Sequence, residues 1–174
     1  MRTRSILAGL LGSLALLSVH AQQGPTDPQI AHIVVTANQV DIDAGKLAER
    51  KSSSKDVRAF GKQMVTDHTA VNKSATDLVK KLKVKPEESD TSRALKSAAK
   101  QTAEKHKALK GAAFDKAYAD NEVAYHQQVL DAIDKVLIPN AKNPELKGLL
   151  EKVRPAIAAH LEHAKMMASS LAKK

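Results

Sequence analysis

Five ionisable side chains fall at positions where the helical pattern of the sequence leads one to expect leucine. They lie near the middle of their predicted helices, if depth is counted from the predicted turns at about 1.5 Å per residue. When the apolar faces of four such helices meet, these groups meet in one layer. Imidazole and carboxylate groups together suit zinc, iron, copper or manganese, so we expect a divalent transition metal there. The predicted ligands are Asp41, His68, Glu122, His126 and His160.

A metal is one of two ways to satisfy such a layer. A buried charge without a partner costs several kcal/mol, so the layer needs some form of compensation. A network of hydrogen bonds among aspartate, histidine and tyrosine would also provide it. In that second interpretation the layer only fixes the register of the helices, and the protein is a non-enzymatic interaction protein.

The spacings between residues of the layer do not support a metal site equally. Glu122 and His126 are four residues apart, so they share a helix face and can bind one ion together. Asp67 points about 100° away from His68, so we expect it to support the layer from outside or to lie at the surface. We expect His32 and His106 to be ordinary exposed histidines.

Other kinds of chemistry find no support in the sequence. The chain has no cysteine, no Ser–His–Asp pattern with a strained turn, no glycine-rich phosphate loop and no HExxH motif. Nucleophilic hydrolysis and nucleotide chemistry are therefore not indicated, and neither is an organic cofactor. Whether the protein is an enzyme stays open.

Four long amphipathic helices carry the polar layer. Caps and turns predict helices over about 28–51, 53–85, 112–137 and 144–171, with Ser53 and Asp56 as a capping box for the second. Two short turns and one long, partly helical connection between the second and third helices favour an all-α, ferritin-like four-helix bundle over residues 28–172.

The first 21 residues have the pattern of a signal peptide. Arg2 and Arg4 precede the apolar stretch 6–17, and the small residues of Val19-His20-Ala21 fit a cleavage site. The apolar stretch is shorter than the roughly 20 residues that span a bilayer. We expect cleavage after Ala21, a flexible leader at 22–27 and a soluble periplasmic or outer-envelope protein without a transmembrane span. A retained N-terminal anchor is the alternative.

The charge balance limits the kinds of partner. The formal net charge is +9, but the lysines are interleaved with acidic residues, and no arginine-rich cluster or nucleic-acid motif accompanies them. Nucleic acid is therefore not an expected partner. A basic surface favours an anionic envelope surface such as lipid headgroups, or a protein. The sequence does not indicate the oligomeric state.

Four short segments resemble one known family. The chain resembles the domain-of-unknown-function 4142 family, exported bacterial envelope proteins that are regarded as ferritin-like. The resemblance implies a helical bundle and an envelope location. The family usually has Glu where this chain has Asp41, and the Glu-x-x-His pairs of ferritin-like diiron proteins are missing, which argues against ferroxidase activity. The matching segments are Gly45-Lys46-Leu47-Ala48, Met64-Val65-Thr66-Asp67-His68, Phe114-Asp115-Lys116-Ala117-Tyr118 with His126, and Pro155-Ala156-Ile157-Ala158-Ala159-His160-Leu161.

Overall fold

The computed structural model describes residues 24–173, which are mostly helical and include no strand. The all-α class predicted from the sequence is thus confirmed for this part of the chain. The predicted signal peptide and the first two residues of the predicted leader lie outside the described residues. The helices are α1 (Asp27–Lys51), α2 (Lys55–Lys81), α3 (Asp90–Ala108), α4 (Gly111–Ala132), α5 (Ile138–Asn140) and α6 (Pro144–Leu171), with a π-helical turn (Ile133–Leu137) between α4 and α5.

The second helix begins one residue later than the sequence suggests. Ser54, not Ser53, is the N-cap of α2, and its hydroxyl accepts a hydrogen bond from the backbone N–H of Val57. Ser53 instead donates its hydroxyl proton to Asp115 at 2.8 Å. The helix also ends at Lys81, before Pro86, and Lys83 adopts a positive φ of 54° just after it.

Contacts between the turns establish which helix ends lie together. Asp27, at the start of α1, accepts hydrogen bonds from the backbone N–H groups of Lys142 (2.8 Å) and Asn143 (2.9 Å), just before α6. The N–H of Glu87, after α2, donates to the carbonyl of Pro28 at 3.1 Å. The start of α1, the end of α2 and the start of α6 therefore share one end of the molecule.

The start of α4 lies at the opposite end, next to the α1–α2 turn, because Asp115 accepts hydrogen bonds from that turn. The helix α3 must then run the length of the molecule, and α2 and α4 point in the same direction. In the resulting arrangement α1 packs along α2, α4 packs along α6, and α3 packs against α1. None of the helices formed by residues 24–173 combines the length and the hydropathy needed to cross a bilayer.

Two glycines bring α1 and α2 into backbone contact. A Cβ atom added to Gly45 would lie 2.6 Å from the carbonyl oxygen of Gly61, and one added to Gly61 would lie 2.8 Å from that of Gly45. No side chain fits at either position without moving a helix. The two glycines therefore set the spacing of the two helices that carry Asp41 and His68.

The core has two apolar clusters with the polar layer between them. One cluster lies towards the start of α1 and the other towards the α1–α2 turn. In each of the four helices that carry the layer, the predicted polar residue falls between the members of the two clusters. The first includes Ile30, Ile33, Ala75, Leu137, Leu150 and Ile157. The second includes Ala48, Phe60, Met64, Phe114, Tyr118 and Ala164.

Candidate metal centre

The structure brings all five predicted ligands together inside the molecule. Each is at most 4% exposed to solvent. The layer forms because each of four helices places at least one polar residue on its buried face at a similar distance from the turns. They come from four helices: Asp41 from α1, His68 from α2, Glu122 and His126 from α4, and His160 from α6.

Asp41 is in contact with two of the imidazoles. Its Oδ2 atom lies 2.8 Å from Nε2 of His68 and 3.2 Å from Nε2 of His126. Although these atoms are close, neither nitrogen has the alignment of a hydrogen bond to the carboxylate. Oε2 of Glu122 lies 3.5 Å from Nδ1 of His126.

Two overlapping groups of three residues have the spacing of a metal site. One ligand atom from each of His68, His126 and His160 lies within 4.8 Å of the other two. The same holds for Asp41, Glu122 and His126, so His126 belongs to both groups. That these residues bind a metal stays a prediction.

The tautomer of His68 follows from its neighbour on α1. The side-chain nitrogen of Asn38 donates to the backbone carbonyl of Val34 at 2.8 Å, so the amide oxygen faces His68. That oxygen lies 2.6 Å from Nδ1 of His68 and can only accept. Nδ1 of His68 therefore carries a proton, and its Nε2 is left to face Asp41.

The other two histidines are oriented in the same manner. Nδ1 of His126 donates to the backbone carbonyl of Glu122 at 3.0 Å. Nε2 of His160 donates to the carboxylate of Asp67 at 2.9 Å. The remaining nitrogens, Nε2 of His126 and Nδ1 of His160, are buried and have no hydrogen-bond partner among residues 24–173. Each imidazole thus has one nitrogen held from outside the layer and one turned to its neighbours.

The pKa values of the two buried carboxyl groups shift in opposite directions. Burial acts to raise the pKa of Asp41, but the contacts with His126 and His68 outweigh it, so that the pKa falls below its ordinary value. Burial, followed by the negative charge of Asp41, raises the pKa of Glu122 well above its ordinary value. Burial also lowers the pKa of His160, which favours the neutral imidazole that a metal requires.

Sequence reasoning missed Asn38 and misjudged His106. Asn38 lies one helical turn before Asp41, a spacing that places both on one face, but asparagine is common on helix surfaces. His106 is only 6% exposed because α3 lays it edge-on against Phe114, with ring centroids 6.0 Å apart. His32 is partly buried rather than exposed. Asp67 takes the supporting role through its hydrogen bond to His160.

These features define an all-helical protein with a buried layer of carboxylates and histidines. The chain belongs to the family described as Domain of unknown function (DUF4142), whose model matches residues 15–167. The resemblance noted in the sequence is thereby confirmed, and the match includes every residue of the layer. No curated protein and no solved structure matches the chain. Function therefore has to be inferred from the chemistry of the site.

Proposed function

We propose that this chain is an exported envelope protein that binds a divalent transition metal in the core of a ferritin-like helix bundle. The observation that carries the proposal is the position of Oδ2 of Asp41, which faces the Nε2 atoms of two imidazoles. The ligands we propose are Asp41, His68, Glu122, His126 and His160.

The contacts around Asp41 require a positive charge. Because Nδ1 of both His68 and His126 already donates to an oxygen acceptor, a neutral imidazole at either position keeps an unprotonated Nε2, with its lone pair, close to the carboxylate. Two lone pairs and an anion at 2.8 and 3.2 Å repel one another unless a cation lies among them. A divalent metal supplies that cation and binds all three atoms. The alternative, a proton on each imidazole, places two more charges in a buried layer.

Within each of the two groups of three, the donors and their spacing are compatible with one transition ion. Ligand atoms that bind zinc at about 2.0–2.2 Å lie roughly 3–4 Å apart, so the observed spacing needs only small movements on binding. Three imidazoles with two carboxylates suit zinc, iron, copper or manganese. The chain has no cysteine, which excludes thiolate ligands.

The outer hydrogen bonds support the same proposal. Histidines that bind metals usually donate their second ring N–H to a carboxylate, an amide or carbonyl oxygen, or water, which fixes the ring and increases its basicity. Here Asn38, the Glu122 carbonyl and Asp67 fill these roles for the three histidines. A purely structural layer needs only to pair its buried polar groups. It does not require that all three rings be oriented in this manner.

The ferritin-like architecture and the export of the protein are part of the proposal. A single crossover helix, with α2 and α4 parallel, is the connectivity of ferritin-like bundles, and it supports one such domain at 28–172. The signal-peptide pattern supports cleavage after Ala21 and a leader at 22–27. The mass of the exported protein should correspond to a chain that begins at Gln22, and a mass that retains residues 1–21 would contradict export by cleavage.

A second candidate is a non-enzymatic envelope protein whose polar layer is purely structural. It is favoured by the contacts of His68, whose Nδ1 donates to Asn38 and whose Nε2 would form a buried ion pair with Asp41 once the ring is protonated. The protein would then act through its basic surface, on an anionic envelope surface or a protein partner.

Metal content separates the two candidates. We expect untagged protein purified from the periplasm to retain about one equivalent of metal after dialysis. Added metal at a hundredfold excess over Kd should stabilise the dialysed protein by about 2.7 kcal/mol. His126→Ala should lose most of this gain, whereas His106→Ala, a buried histidine outside the layer, should keep it. Equal gains in all three proteins, or none with zinc, iron, copper and manganese, would leave the structural candidate.

A further inference from the structure

An apolar cavity of about 190 Å³ lies beside the polar layer. All the long helices and the π-helical turn contribute to its wall, which is mostly aliphatic. His68 and His126 form part of the wall on the side of the layer. The remainder of the wall includes Ile33, Val71, Val129, Ile133, Leu150 and Ile157.

We propose that this cavity binds a small uncharged apolar molecule, of the size range from benzene to indole, against the rings of His68 and His126. Binding itself requires only the cavity. The placement of such a molecule next to a metal rests on the proposed function, and would make it the substrate or a modulator of that centre.

The size of the cavity sets the size of the ligand. An apolar cavity of about 150 Å³ stays dry and can bind benzene or xenon. A cavity of about 190 Å³ therefore accepts a ring of that size or slightly larger. The wall presents mostly apolar side chains, so a ligand that fills the cavity gains dispersion contacts with them.

The π-helical turn helps to form the cavity and its opening. Ile133, Val136 and Leu137 of this turn all line the cavity. Val136 is 40% exposed, so this part of the wall also reaches the surface. Single π-helical turns within α-helices are frequent at functional sites. The turn thus gives a small molecule a route from solvent to the histidines.

A neighbouring cleft has the opposite chemistry and provides a control. It lies between α3 and α1, and its wall includes Lys46, Arg50 and Lys100. Leu95 and Tyr125 line both the cleft and the cavity. An anionic ligand should prefer the cleft, because an unpaired carboxylate is costly in an apolar cavity. Benzoate, which keeps the ring of benzene and adds a charge, distinguishes the two sites.

The test is titration of the full mature chain with benzene, indole and benzoate, followed by calorimetry and by the NMR signals of the Val129 and Ile133 methyl groups. We expect benzene and indole to bind and to shift these signals. We expect benzoate to bind the cavity, as measured by the same signals, at least about tenfold more weakly. Ala132→Leu places a larger side chain in the cavity wall and should weaken benzene binding about tenfold or more. Ala156→Leu, the same change at an exposed position of α6, should not.

Each outcome decides the proposal. Absence of benzene and indole binding, larger shifts of the Val129 and Ile133 signals with benzoate than with benzene, or equal losses in Ala132→Leu and Ala156→Leu would overturn it. If Ala132→Leu fails to fold by circular dichroism, Val153→Phe fills the same cavity from α6. Titrations of metal-free and metal-loaded protein keep this proposal separate from the previous one. Protein that binds benzene but no metal would support the cavity site and contradict the metal centre. Protein that binds metal but no benzene would support the metal centre and contradict the cavity site.

Discussion

The amide oxygen of Asn38 lies 2.6 Å from Nδ1 of His68, and the amide nitrogen of Asn38 is engaged by the carbonyl of Val34. Asn38 can therefore only accept from His68, and it holds Nε2 of that ring towards Asp41. This one contact orients a buried histidine whose Nε2 is one of the proposed ligand atoms, and Asn38 itself would not bind the metal.

Replacement of Asn38 should consequently weaken metal binding. We expect Asn38→Ala to reduce zinc affinity about 10–100-fold, because groups that orient metal-binding histidines typically have effects of this size. The ¹⁵N signals of His68 in the metal-free protein should change from one tautomer to a mixture. Gln39→Ala removes an exposed amide from the same helix and should alter neither measurement. An unchanged zinc Kd in Asn38→Ala would show that His68 does not depend on this contact.

The polar layer could be predicted because burial follows the helical period. Asp41, His68 and His160 each occupy a position that the 3.6-residue repeat assigns to the inner face, and the turns on either side give their depth. The contacts that orient the rings could not be predicted in this way. They depend on the rotation of each helix and on side-chain rotamers, so Asn38 could not be distinguished from a surface residue.

The serine turn illustrates why local patterns did not settle the helix boundary. Ser52, Ser53 and Ser54 are each able to cap a helix. Asp115, which lies more than sixty residues later in the chain, accepts hydrogen bonds from the hydroxyls of Ser52 and Ser53 and leaves Ser54 for the helix. A tertiary contact thus selects among equivalent local choices. His106 was misjudged for the same reason, because the packing of α3 on α4 decides its burial.

The contact between Gly45 and Gly61 makes a prediction about stability. Gly61→Ala should lower the free energy of unfolding by about 1–3 kcal/mol, because the new methyl group would overlap the backbone of α1. Gly148→Ala, in the interior of α6 with no atom within 4 Å of the new Cβ, should raise it by about 0.5–1 kcal/mol through the helix propensity of alanine. Urea unfolding of both variants measures the difference, and the same sign for both would contradict the close approach of α1 and α2.

At each end of the molecule one aspartate connects the helix pair α1–α2 with the helix pair α4–α6, and the two aspartates can be compared. Asp115 is 3% exposed and accepts from the α1–α2 turn, including the N–H of Ser54 at 3.2 Å. Asp27 accepts two backbone N–H groups before α6 but is only partly buried. Asp115→Ala should lower the free energy of unfolding by about 3 kcal/mol, because it removes three hydrogen bonds to a buried carboxylate and leaves the buried hydroxyl of Ser52 without this acceptor.

Asp27→Ala should cost less, about 1 kcal/mol, because water can replace the carboxylate there. Urea unfolding provides both values on one scale. A larger loss for Asp27→Ala than for Asp115→Ala would mean that the start of α4 is not held by the serine turn in the manner described.

The two tyrosines of α4 differ in the partners of their hydroxyl groups. The hydroxyl of Tyr125 donates to the carbonyl of Ala37 on α1 at 2.7 Å. The hydroxyl of Tyr118 is buried near the carboxyl groups of Glu122 and Asp41, but no hydrogen-bond partner for it exists within residues 24–173. Burial, followed by these two carboxyl groups, raises the pKa of Tyr118 well above its ordinary value, so the phenol stays neutral.

Replacement of each tyrosine by phenylalanine should therefore have a different effect on the metal-free protein. Tyr125→Phe loses a hydrogen bond between α1 and α4 and should lower the free energy of unfolding by about 1 kcal/mol. Tyr118→Phe removes an unpaired polar group and should leave stability unchanged or raise it by up to about 1 kcal/mol. Both are single-atom deletions on one helix, so each serves as the control for the other in urea unfolding. A greater loss for Tyr118→Phe would mean that its hydroxyl has a partner in the polar layer, and would place Tyr118 among the groups that hold the two carboxylates.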